Sequence, residues 1–316
     1  MSSAAFAARP RHIDNPFCAD LFEGLRRRHK RIPSKYFYDV EGSLLFERIT
    51  GLAEYYPTRT EIGILKANAA QIANLIGPDV ELVEFGAGSL RKVRILLDAM
   101  QTPQSYVPID IAGDYLMEVA EVLEGEYPRL HLNPVVADFT LPVELEVSDG
   151  RRAGFLPGST IGNFGPAEAA GLLRHMRQTL GGGGLLIGVD LVKSPALLHA
   201  AYNDSKGVTA AFNKNLLARA NRELGADFDL GAFAHYACYN PMAQKIEMYL
   251  VSMARQHVCI AGDVIAFEQG EAIHTEDSHK YTLSGFRALA LEAGYVPRAI
   301  WTDEARLFSV QWLEAV

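Results

Sequence analysis

The sequence predicts an α/β fold in which helices cover both faces of a parallel sheet, with a second α+β region attached. Between residues 61 and 190, strand-like apolar runs alternate with helical patterns, which is typical of parallel sheets built from strand–helix–strand units. After Asp190 this alternation stops, and runs typical of antiparallel strands follow. The 316 residues, 49% hydrophobic and 22% charged, suit one large globular domain or two smaller ones.

The elements of the predicted core follow one another at short intervals. An apolar helix covers 61–76, and the strand 81–85 leads through the glycine-rich turn 86–89 into a helix over 92–100. The strand 106–110 comes next, then a helix with Leu116, Val119 and Val122 on one face. The remaining elements are a third strand over 132–138 with an irregular start at Pro134, a strand over 153–156, a helix over 166–180 and the buried strand 185–190.

The region after Asp190 has a different pattern. Residues 195–224 read as a helical stretch, and 245–251 and 257–260 alternate polar and apolar side chains as antiparallel strands do. The strand–helix pattern then returns with a helix over 283–293 and the final strands. We therefore expect a lobe inserted into a nucleotide-binding core.

Composition and spacing exclude several classes of protein. The formal net charge of −8 argues against nucleic acid as a partner, and the basic run 26–31 reads as a solvated helix end rather than a nucleic-acid patch. The three cysteines lack CxxC spacing and the nine histidines lack HxxxH and HExxH spacing, so we expect neither disulfides nor a metal site. No apolar segment has the length of a signal-peptide core or a membrane span. We expect a cytoplasmic protein that binds no membrane.

Three strand ends carry residues that suit an adenosyl cofactor. The turn Glu84-Phe-Gly-Ala-Gly-Ser89 lets backbone N–H groups approach a ligand at a helix N-terminus, but it lacks the third glycine that favours NAD. Asp110 ends the second strand and can accept both ribose hydroxyls. Asp138 and Phe139 end the third, where they can contact adenine. Each Asp alone reads as a cap, but in this order they are typical of class I methyltransferases.

Lys92 lies in the first turn of the helix that follows the glycine-rich turn, and it allows two interpretations. In the first, its ammonium reaches the carboxylate of the cofactor, because a positive charge against the cofactor's sulfonium is unfavourable. In the second, it is a surface lysine of the helix. The sequence by itself leaves both interpretations open.

Several segments together resemble one family, the histidine-specific Nα-methyltransferases of ergothioneine biosynthesis. They extend from about residue 30 to the end of the chain, in the family's order and near its spacing. Three of them are not general methyltransferase motifs: Tyr36-Phe-Tyr-Asp39, Glu54-Tyr-Tyr-Pro-Thr-Arg59 and Gly158-Ser-Thr-Ile-Gly-Asn163. The others are 33–35, 42–43, 45–46, 84–89, 190–193, 207–213, 221–227, 246–248 and 275–278.

The resemblance implies the architecture, the cofactor and the site. The architecture is a class I (Rossmann-like) methyltransferase core over 61–191 and 280–316, with an α+β substrate-binding domain over 10–60 and 192–279. The cofactor is S-adenosyl-L-methionine. The implied cofactor-binding residues are Tyr38, Gly86, Lys92, Asp110, Asp138 and Phe139. The implied residues for a histidine substrate are Tyr55, Gly158, Asn163, Tyr202, Met248, Glu276 and Ser278.

These residue types suit a free amino acid. Asn163 and the Tyr202 hydroxyl can donate to a carboxylate, which a peptide-linked residue lacks. Glu276 and Ser278 are two apart, so in an extended segment both point the same way and can read the imidazole. A ring without its N–H would leave the Glu276 carboxylate unpaired. Asp277, where the family usually has a small apolar residue, adds a negative charge near the imidazole unless its side chain faces outward.

The implied reaction is an in-line displacement by the α-amine, which must be neutral to attack. Burial beside a sulfonium lowers the pKa of that amine. Tyr38 is the candidate catalytic residue, either orienting the amine or acting as a base; the Gly158 carbonyl accepts from the amine and Met248 forms an apolar wall. We expect three methyl transfers, which give the trimethylated betaine. We also expect the protein to be a monomer. The alternatives are a methyltransferase acting on another amino acid such as tryptophan, and a non-catalytic S-adenosylmethionine-binding protein.

Overall fold

The computed structural model describes residues 15–146 and 150–316. The α-helices are α1 (Pro16–Leu25), α2 (Val40–Thr50), α3 (Tyr56–Ile76), α4 (Leu90–Ala99), α5 (Gly113–Glu126), α6 (Pro166–Thr179), α7 (Pro195–Tyr202), α8 (Val208–Leu224) and α9 (Leu283–Glu292). The strands are β1 (Lys30–Arg31), β2 (Val80–Phe85), β3 (Ser105–Asp110), β4 (His131–Leu132), β5 (Val135–Val136), β6 (Arg151–Leu156), β7 (Gly184–Asp190), β8 (Phe233–Asn240), β9 (Lys245–Ser252), β10 (Gln256–Ile260), β11 (Asp263–Phe267), β12 (Ala272–His279), β13 (Tyr295–Thr302) and β14 (Phe308–Ala315). Short 3-10 helices cover Ser34–Phe37, Thr160–Asn163 and Leu230–Ala232.

The larger sheet has the strand order β13-β14-β7-β6-β2-β3-β4, and β5 also pairs with β3. The pairings among β2, β3, β6 and β7 are parallel, whereas β14 is antiparallel to both β7 and β13. Parallel strands joined by helices, with one antiparallel strand inserted near an edge, confirm the predicted α/β class and the class I core. The carboxyl ends of β2, β3, β6 and β7 therefore lie at one edge of the sheet, called the carboxyl edge below.

Helices cover both faces of this sheet because its central strands are apolar on both faces. All six residues of β2 are buried, as a central strand of a parallel sheet requires. On one face, α3 and α4 contribute Leu65 and Leu96 to a core cluster. On the other, α6 and α9 contribute Leu173 and Phe286. Burying one such side chain stabilises the fold by roughly 1.5–3 kcal/mol, so the two clusters hold the strand ends in place.

The described chain divides into two compact units. The first comprises the described residues up to Phe46, with Ser205–Cys238 and Glu247–Glu276. The second comprises the described residues of Glu47–Asp204, with Tyr239–Ile246 and Asp277–Val316. The bounds of the units differ from those of the predicted domains. The helix α7 and the start of α3, predicted in the substrate-binding domain, belong to the unit that contains the larger sheet. The predicted boundary after residue 60 falls inside α3, which is one continuous helix. Residues 10–14 of the predicted second domain lie outside the described residues.

The first unit contains most of a four-stranded sheet with the order β1-β12-β9-β8. Strands β10 and β11 form a separate antiparallel hairpin. The rings of Phe228, Phe233 and Phe267 pack against one another with centroids 5.4–6.2 Å apart. This unit thus has its own sheet and its own aromatic core, as expected for an α+β region built from the N-terminal segment and the later insertion.

Three elements differ from their predictions. The third strand, predicted over 132–138, forms only the short strands β4 and β5, which are separated at Pro134 because proline cannot donate to a β-ladder. The helical stretch 195–224 is two helices, and Gly207, with φ +69°, precedes the second. Val122, predicted on the buried face of its helix, is 48% exposed, although Leu116 and Val119 are buried.

The described residues also bear on partners. No helix among them is long and apolar enough to cross a membrane. They place no group of three His, Cys, Asp or Glu side chains where it could hold a metal ion. In the basic run, Arg26, Arg27 and Lys30 each pair with an acidic side chain. The run begins after α1 ends, and its last two residues, Lys30 and Arg31, form β1 rather than a helix end.

Candidate active site

Gly86 and Phe139 shape the turn that follows β2. Gly86 has φ +80°, a backbone conformation that favours glycine. A Cβ placed on residue 86 lies 3.4 Å from Cε1 of Phe139, so the Phe139 ring covers the turn. The N–H groups of Gly86 and Ala87 donate to the Ile109 carbonyl at 2.8 and 3.1 Å, which ties the turn to the end of β3. A glycine turn beside an aromatic ring at the carboxyl edge fits the predicted adenosyl cofactor.

The two predicted cofactor carboxylates lie on neighbouring strand ends. Asp110 ends β3 and pairs in parallel register with Val136 of β5, shortly before Asp138. The Asp110 carboxylate accepts from the Ala112 backbone N–H at 2.8 Å, and burial raises its pKa. Asp138 Oδ1 accepts from the backbone N–H of Thr140 at 3.0 Å and from its hydroxyl at 2.5 Å. Local hydrogen bonds thus fix both carboxylates beside the glycine turn.

Lys92 forms a buried ion pair that the sequence did not predict. Its Nζ lies 2.5 Å from Oε2 of Glu61, a residue of α3 whose side chain is 1% exposed. Both oxygens of Glu61 also accept from the backbone N–H of Gly158 at 3.0 Å. Lys92 is therefore not a surface lysine of α4. Glu61 connects α4, the helix after the glycine turn, to the turn that contains Gly158.

Glu84, near the carboxyl end of β2, is a second buried carboxyl group. Its side chain is shielded from solvent, and the Tyr106 hydroxyl donates to its Oε2 at 2.5 Å. Burial raises the pKa of Glu84 to about 8, against the opposing effects of Tyr106 and Lys92. Glu84 is consequently protonated at neutral pH, and Glu61 is the carboxylate that pairs with Lys92.

The turn between β6 and the following 3-10 helix is held from two sides. Gly158 and Ser159 have φ of +78° and +58°, and the left-handed conformation of Ser159 is strained for a residue with a side chain. The Ser159 Oγ accepts from the Asp190 backbone N–H at 2.9 Å, and Glu61 binds the Gly158 N–H. Asn163 ends the 3-10 helix, half-buried. Its side-chain amide forms no hydrogen bond with another described residue, so it can bind a ligand.

Asp190, at the carboxyl end of β7, is the centre of a buried charge cluster. Its oxygens lie 2.5 Å from the Lys193 Nζ and 2.8 Å from the Lys280 Nζ, and both accept from the Tyr56 hydroxyl. Although burial alone raises the pKa of Asp190, the two ammonium groups hold it below its usual value. Burial lowers the pKa of Lys193 to about 8, whereas Asp190 outweighs burial and raises that of Lys280. Asp190, Lys193 and Lys280 together carry one more positive than negative charge, and Asp303 acts on Lys193 as a further nearby anion.

Two predicted substrate residues, Tyr202 and Ser278, are hydrogen-bonded to each other in this cluster. The Tyr202 hydroxyl donates to Ser278 Oγ at 2.8 Å, and Lys280 Nζ donates to the two oxygens at 2.9 and 2.7 Å. The ring of Tyr55 packs edge-on against that of Tyr202, with centroids 6.3 Å apart. The Tyr202 hydroxyl thus donates to Ser278 Oγ in this structure, and that it donates to a substrate carboxylate stays a prediction.

Tyr38 lies in the first unit, directly after the 3-10 helix Ser34–Phe37. Its ring packs edge-on against the rings of Phe46 and Phe212, with centroids 5.8 and 6.0 Å away. Phe212 belongs to α8, so the N-terminal segment and the insertion meet at this aromatic group within the unit. These contacts fix the ring of the predicted catalytic residue.

Met248 and Glu276 also belong to the first unit. Met248, in β9, is 1% exposed, and the Thr275 hydroxyl donates to its carbonyl at 3.1 Å. Glu276 follows Thr275 in β12 and is half-buried. The structure therefore brings Met248 and Glu276 onto neighbouring strands. That they face the same substrate as the predicted residues of the second unit stays a prediction.

The charge of Asp277, which departs from the family pattern, is balanced locally. Both of its carboxylate oxygens lie 2.9 Å from the Nζ of Lys245. Both side chains are about one-fifth exposed, so the pair lies near the surface. The additional negative charge between Glu276 and Ser278 is thus neutralised by a lysine of β9, the neighbouring strand in the sheet.

Sequence reasoning missed Glu61, Lys193 and Lys280. A signal for Glu61 was present: it is a carboxylate on the buried face of α3, one turn before Ile64 and Leu65. Lys280 also had a signal, since it lies two positions after Ser278 and therefore on the same side of an extended segment. A charged residue at an apolar position indicates a buried partner elsewhere in the chain.

Comparison with known proteins gives consistent matches along the chain. A family model described as "Histidine-specific methyltransferase, SAM-dependent" matches residues 17–315. The chain is 43% identical over 297 residues to the histidine N-alpha-methyltransferase of Mycolicibacterium smegmatis and 41% identical to that of Mycobacterium tuberculosis, and each alignment covers 92% of both chains. It is 30% identical to ergothioneine biosynthesis protein 1 of Neurospora crassa, over 86% of this chain and 32% of that one. The matches extend over both compact units.

Proposed function

The chain belongs to the histidine-specific, S-adenosylmethionine-dependent methyltransferase family, and on this premise we propose that it methylates the α-amine of free L-histidine. The observation that carries the proposal is the match over residues 17–315, together with 41–43% identity to two histidine N-alpha-methyltransferases. The predicted site residues at the carboxyl edge support it. We propose three successive transfers, which give the trimethylated betaine hercynine, the first step of ergothioneine biosynthesis.

We propose that the cofactor lies along the carboxyl edge. The turn at Gly86 lets the protein backbone come close to the cofactor. Asp110 accepts from the ribose hydroxyls, and Asp138 and Phe139 contact the adenine. Lys92 binds the carboxylate end, while Glu61 fixes the direction of its ammonium. Tyr38 is a further proposed cofactor-binding residue. When bound, S-adenosylmethionine supplies a methyl group attached to a sulfonium.

The substrate is proposed to be recognised at both ends. The Asn163 amide, which has no hydrogen-bond partner among the described residues, donates to the carboxylate. The pair formed by Tyr202 and Ser278 meets the substrate as one hydrogen-bonded unit, and Glu276 accepts from the imidazole N–H. Met248 and Tyr55 provide apolar contacts to the substrate imidazole.

Positioning and desolvation carry the reaction in this proposal. The amine that attacks must be neutral, and burial next to a positive group lowers its pKa. Tyr38 orients the amine, and the Gly158 carbonyl accepts from it in a turn where a glycine leaves room for the added methyl groups. The bonds from Glu61 to the Gly158 N–H and from Asp190 to Ser159 fix that carbonyl.

Incubation of the purified protein with L-histidine and S-adenosylmethionine, followed by mass spectrometry, tests the proposal. We expect mono-, di- and trimethylhistidine in sequence. Tryptophan in a parallel reaction tests the first alternative, and absence of methylation of any of the twenty amino acids would favour the non-catalytic alternative. A thermal-shift panel of the same amino acids with S-adenosylhomocysteine identifies the ligand independently of turnover, because binding to the folded state raises the Tm.

A matched pair of variants tests the role of Glu276. Glu276→Ala is expected to lose the preference for histidine over other amino acids while it still binds S-adenosylhomocysteine. Asp277→Asn, one residue further on, removes a charge that Lys245 neutralises and is expected to keep the preference. Unchanged selectivity in Glu276→Ala removes that residue from substrate recognition.

We further propose that the protein acts as a monomer in the cytoplasm. The net charge of −8, the free cysteines among the described residues and the absence there of a membrane-spanning helix support this. Sedimentation at several protein concentrations tests the monomer, and a mass that rises with concentration contradicts it.

A further inference from the structure

Lys280 is a buried lysine that the proposed reaction leaves without a role. It is 2% exposed, and its Nζ lies within hydrogen-bond distance of three oxygens, one each on Asp190, Tyr202 and Ser278. An ammonium group has three N–H donors, so these three contacts use all of them. Two of the three acceptors are proposed substrate residues. Lys280 therefore fixes the positions of both hydroxyl oxygens.

Counting hydrogens shows what this arrangement offers a ligand. Ser278 Oγ accepts from Lys280 and from Tyr202, which fills its two acceptor positions. The Tyr202 hydrogen is used in the bond to Ser278. No hydrogen bond among the described residues uses the hydroxyl hydrogen of Ser278. Toward a ligand, Ser278 is consequently a donor and not an acceptor.

A neutral imidazole matches this polarity, whereas a protonated one does not. The neutral ring has one N–H, which Glu276 can accept, and one nitrogen with a lone pair, which Ser278 can bind. A protonated ring carries two N–H groups, so the second meets the Ser278 hydrogen with no acceptor. The positive charge of Lys280, whose Nζ lies 2.7 Å from Ser278 Oγ, adds repulsion to that mismatch.

We infer that Lys280 is a positioning residue that sets the specificity of the site: it holds the Tyr202–Ser278 pair as a hydrogen-bond donor and thereby selects the neutral imidazole of the substrate. The inference rests on the proposed function. Lys193 offers a natural comparison, because it binds Asp190 and Tyr56 but makes no hydrogen bond to Tyr202 or Ser278.

Among the charged and titratable groups around Lys280, Lys193 has a pKa of about 8, just above the range from pH 5.5 to 7.5, and Lys193→Met removes it as a control. Asp190 stays ionised, because its pKa is lowered, and Tyr202 stays protonated, because burial raises its pKa. The other neighbouring groups are Lys193 and Tyr56 in the charge cluster, Tyr239 in β8, and His279 and Tyr281 beside Lys280 in the chain. Burial lowers the pKa of His279, and His279→Gln removes this group as a control.

The test measures the Kd of L-histidine by calorimetry in the presence of S-adenosylhomocysteine, for the wild type, Lys280→Met and Lys193→Met. At pH 7.5 we expect Lys280→Met to weaken histidine binding about tenfold or more, as loss of a charge-assisted contact implies, and Lys193→Met to weaken it less than about threefold. The Kd of S-adenosylhomocysteine should stay within about twofold in both, since Lys280 lies outside the proposed cofactor site. Equal histidine affinities in the two variants overturn the inference.

The pH dependence separates selection from a structural effect. Between pH 7.5 and 5.5 the wild type should lose about tenfold in affinity, because the neutral fraction of an imidazole with pKa near 6.5 falls by that factor. In Lys280→Met the loss should be below about threefold. Lys280→Gln keeps a donor without the charge, so it should bind more tightly than Lys280→Met at pH 7.5.

Two outcomes distinguish this inference from the proposed function. A wild type that neither binds nor methylates histidine overturns the proposed function and the inference with it. A wild type that methylates histidine but binds it equally well at pH 5.5 and 7.5 overturns the inference alone. That second measurement needs no variant, so it decides the matter even if substitutions at Lys280 prevent folding.

Discussion

The two ends of the parallel strands each hold a buried ion pair, and the pairs differ in how their charges are matched. At the amino end, Arg152 of β6 lies 2.6 Å from Glu81 of β2. Ser105 donates to the other Glu81 oxygen at 3.0 Å, and Arg152 also donates to the Thr179 carbonyl at 3.1 Å. At the carboxyl end, Asp190 faces two lysines rather than one, and hydroxyl groups complete the cluster.

A balanced buried pair and an unbalanced buried cluster have different requirements. The Arg152–Glu81 pair is balanced, and its remaining hydrogen bonds go to strand neighbours and backbone, so it needs nothing more. An unbalanced cluster costs free energy in the absence of a negative or acceptor group nearby. The excess positive charge around Asp190 lies beside the residues proposed to bind a free amino acid, which supplies such groups. The unbalanced charge therefore indicates the proposed substrate residues, whereas the Lys92–Glu61 pair at the same edge of the sheet is balanced.

Removing the Asp190 carboxylate should have the largest effect. Asp190→Ala leaves the ammonium groups of Lys193 and Lys280 buried without an anion, and we expect a loss of about 3–5 kcal/mol in the free energy of unfolding, measured by urea denaturation. Asp190→Asn combined with Lys280→Met removes one charge of each sign and should recover part of that loss relative to Asp190→Asn alone. A double variant no more stable than Asp190→Asn would show that charge balance is not what the cluster requires.

Removing one partner of the balanced pair should affect stability without affecting the site. Arg152→Met leaves Glu81 without its cation, with an expected loss of about 2–4 kcal/mol, less than at Asp190 because Arg152 is partly exposed. The Kd values of histidine and S-adenosylhomocysteine should change by less than about twofold, since the pair lies at the opposite edge of the sheet. A folded Arg152→Met protein with clearly weakened histidine binding contradicts the contrast between the two ends.

The sequence predicted the core of the second unit because its elements are encoded locally. Strands such as 81–85 and 185–190 are apolar runs, and the turn at Gly86 marks where the first of them ends. Asp110 and Asp138 could be placed from the same logic, since the ends of successive parallel strands meet at one edge. The prediction of a third strand over 132–138 was wrong because Pro134 interrupts its hydrogen bonds to β3. Which of its residues still pair depends on β3 and not on the segment itself.

The contacts that organise the site could not be predicted in the same way. The carboxylate of Glu61 binds Lys92 and Gly158, residues far apart in the sequence, and no local pattern links them. The resemblance identified Tyr202 and Ser278 separately. Their hydrogen bond to each other, and the contact of both with Lys280, depend on how α7 packs against the end of β12. The residue type indicates which groups a side chain can bind. The fold determines which of its hydrogen-bonding positions are already occupied by other residues of the chain.

The two glutamates of β2 lie in different environments: Glu81 forms an ion pair with Arg152, whereas Glu84 has the Tyr106 hydroxyl as its hydrogen-bond donor. Burial raises the folded-state pKa of Glu84 to about 8, above the 4.5 of an unperturbed glutamate. The protonated form is thus favoured by folding, so its contribution to stability is full below pH about 4.5 and is lost as the pH rises through about 8. We expect Glu84→Gln to be less sensitive than the wild type to a change from pH 6 to pH 8, measured as the urea midpoint.

Glu81→Gln is the matched control at the other end of the strand. It removes the carboxylate that Arg152 binds, so it should lower the urea midpoint at both pH values by a similar amount. If Glu84→Gln and the wild type lose stability equally between pH 6 and 8, Glu84 is not the group that titrates in this range.

The smallest effect is expected at the ion pair between Lys245 and Asp277, which tests whether position or partial exposure decides the importance of a charge. This pair lies next to Ser278 in sequence, yet both side chains reach solvent. Partly exposed ion pairs contribute about 0–1 kcal/mol and weaken as salt is added. We expect Asp277→Asn to lower the free energy of unfolding by less than about 1 kcal/mol at low salt and by less again at 1 M salt, with the histidine Kd changed less than about twofold. If Asp277→Asn instead causes a large loss of histidine affinity that does not depend on salt, the charge of Asp277 acts on the substrate imidazole despite its exposure to solvent. Asp277 would then belong with Glu276 among the residues that recognise the substrate.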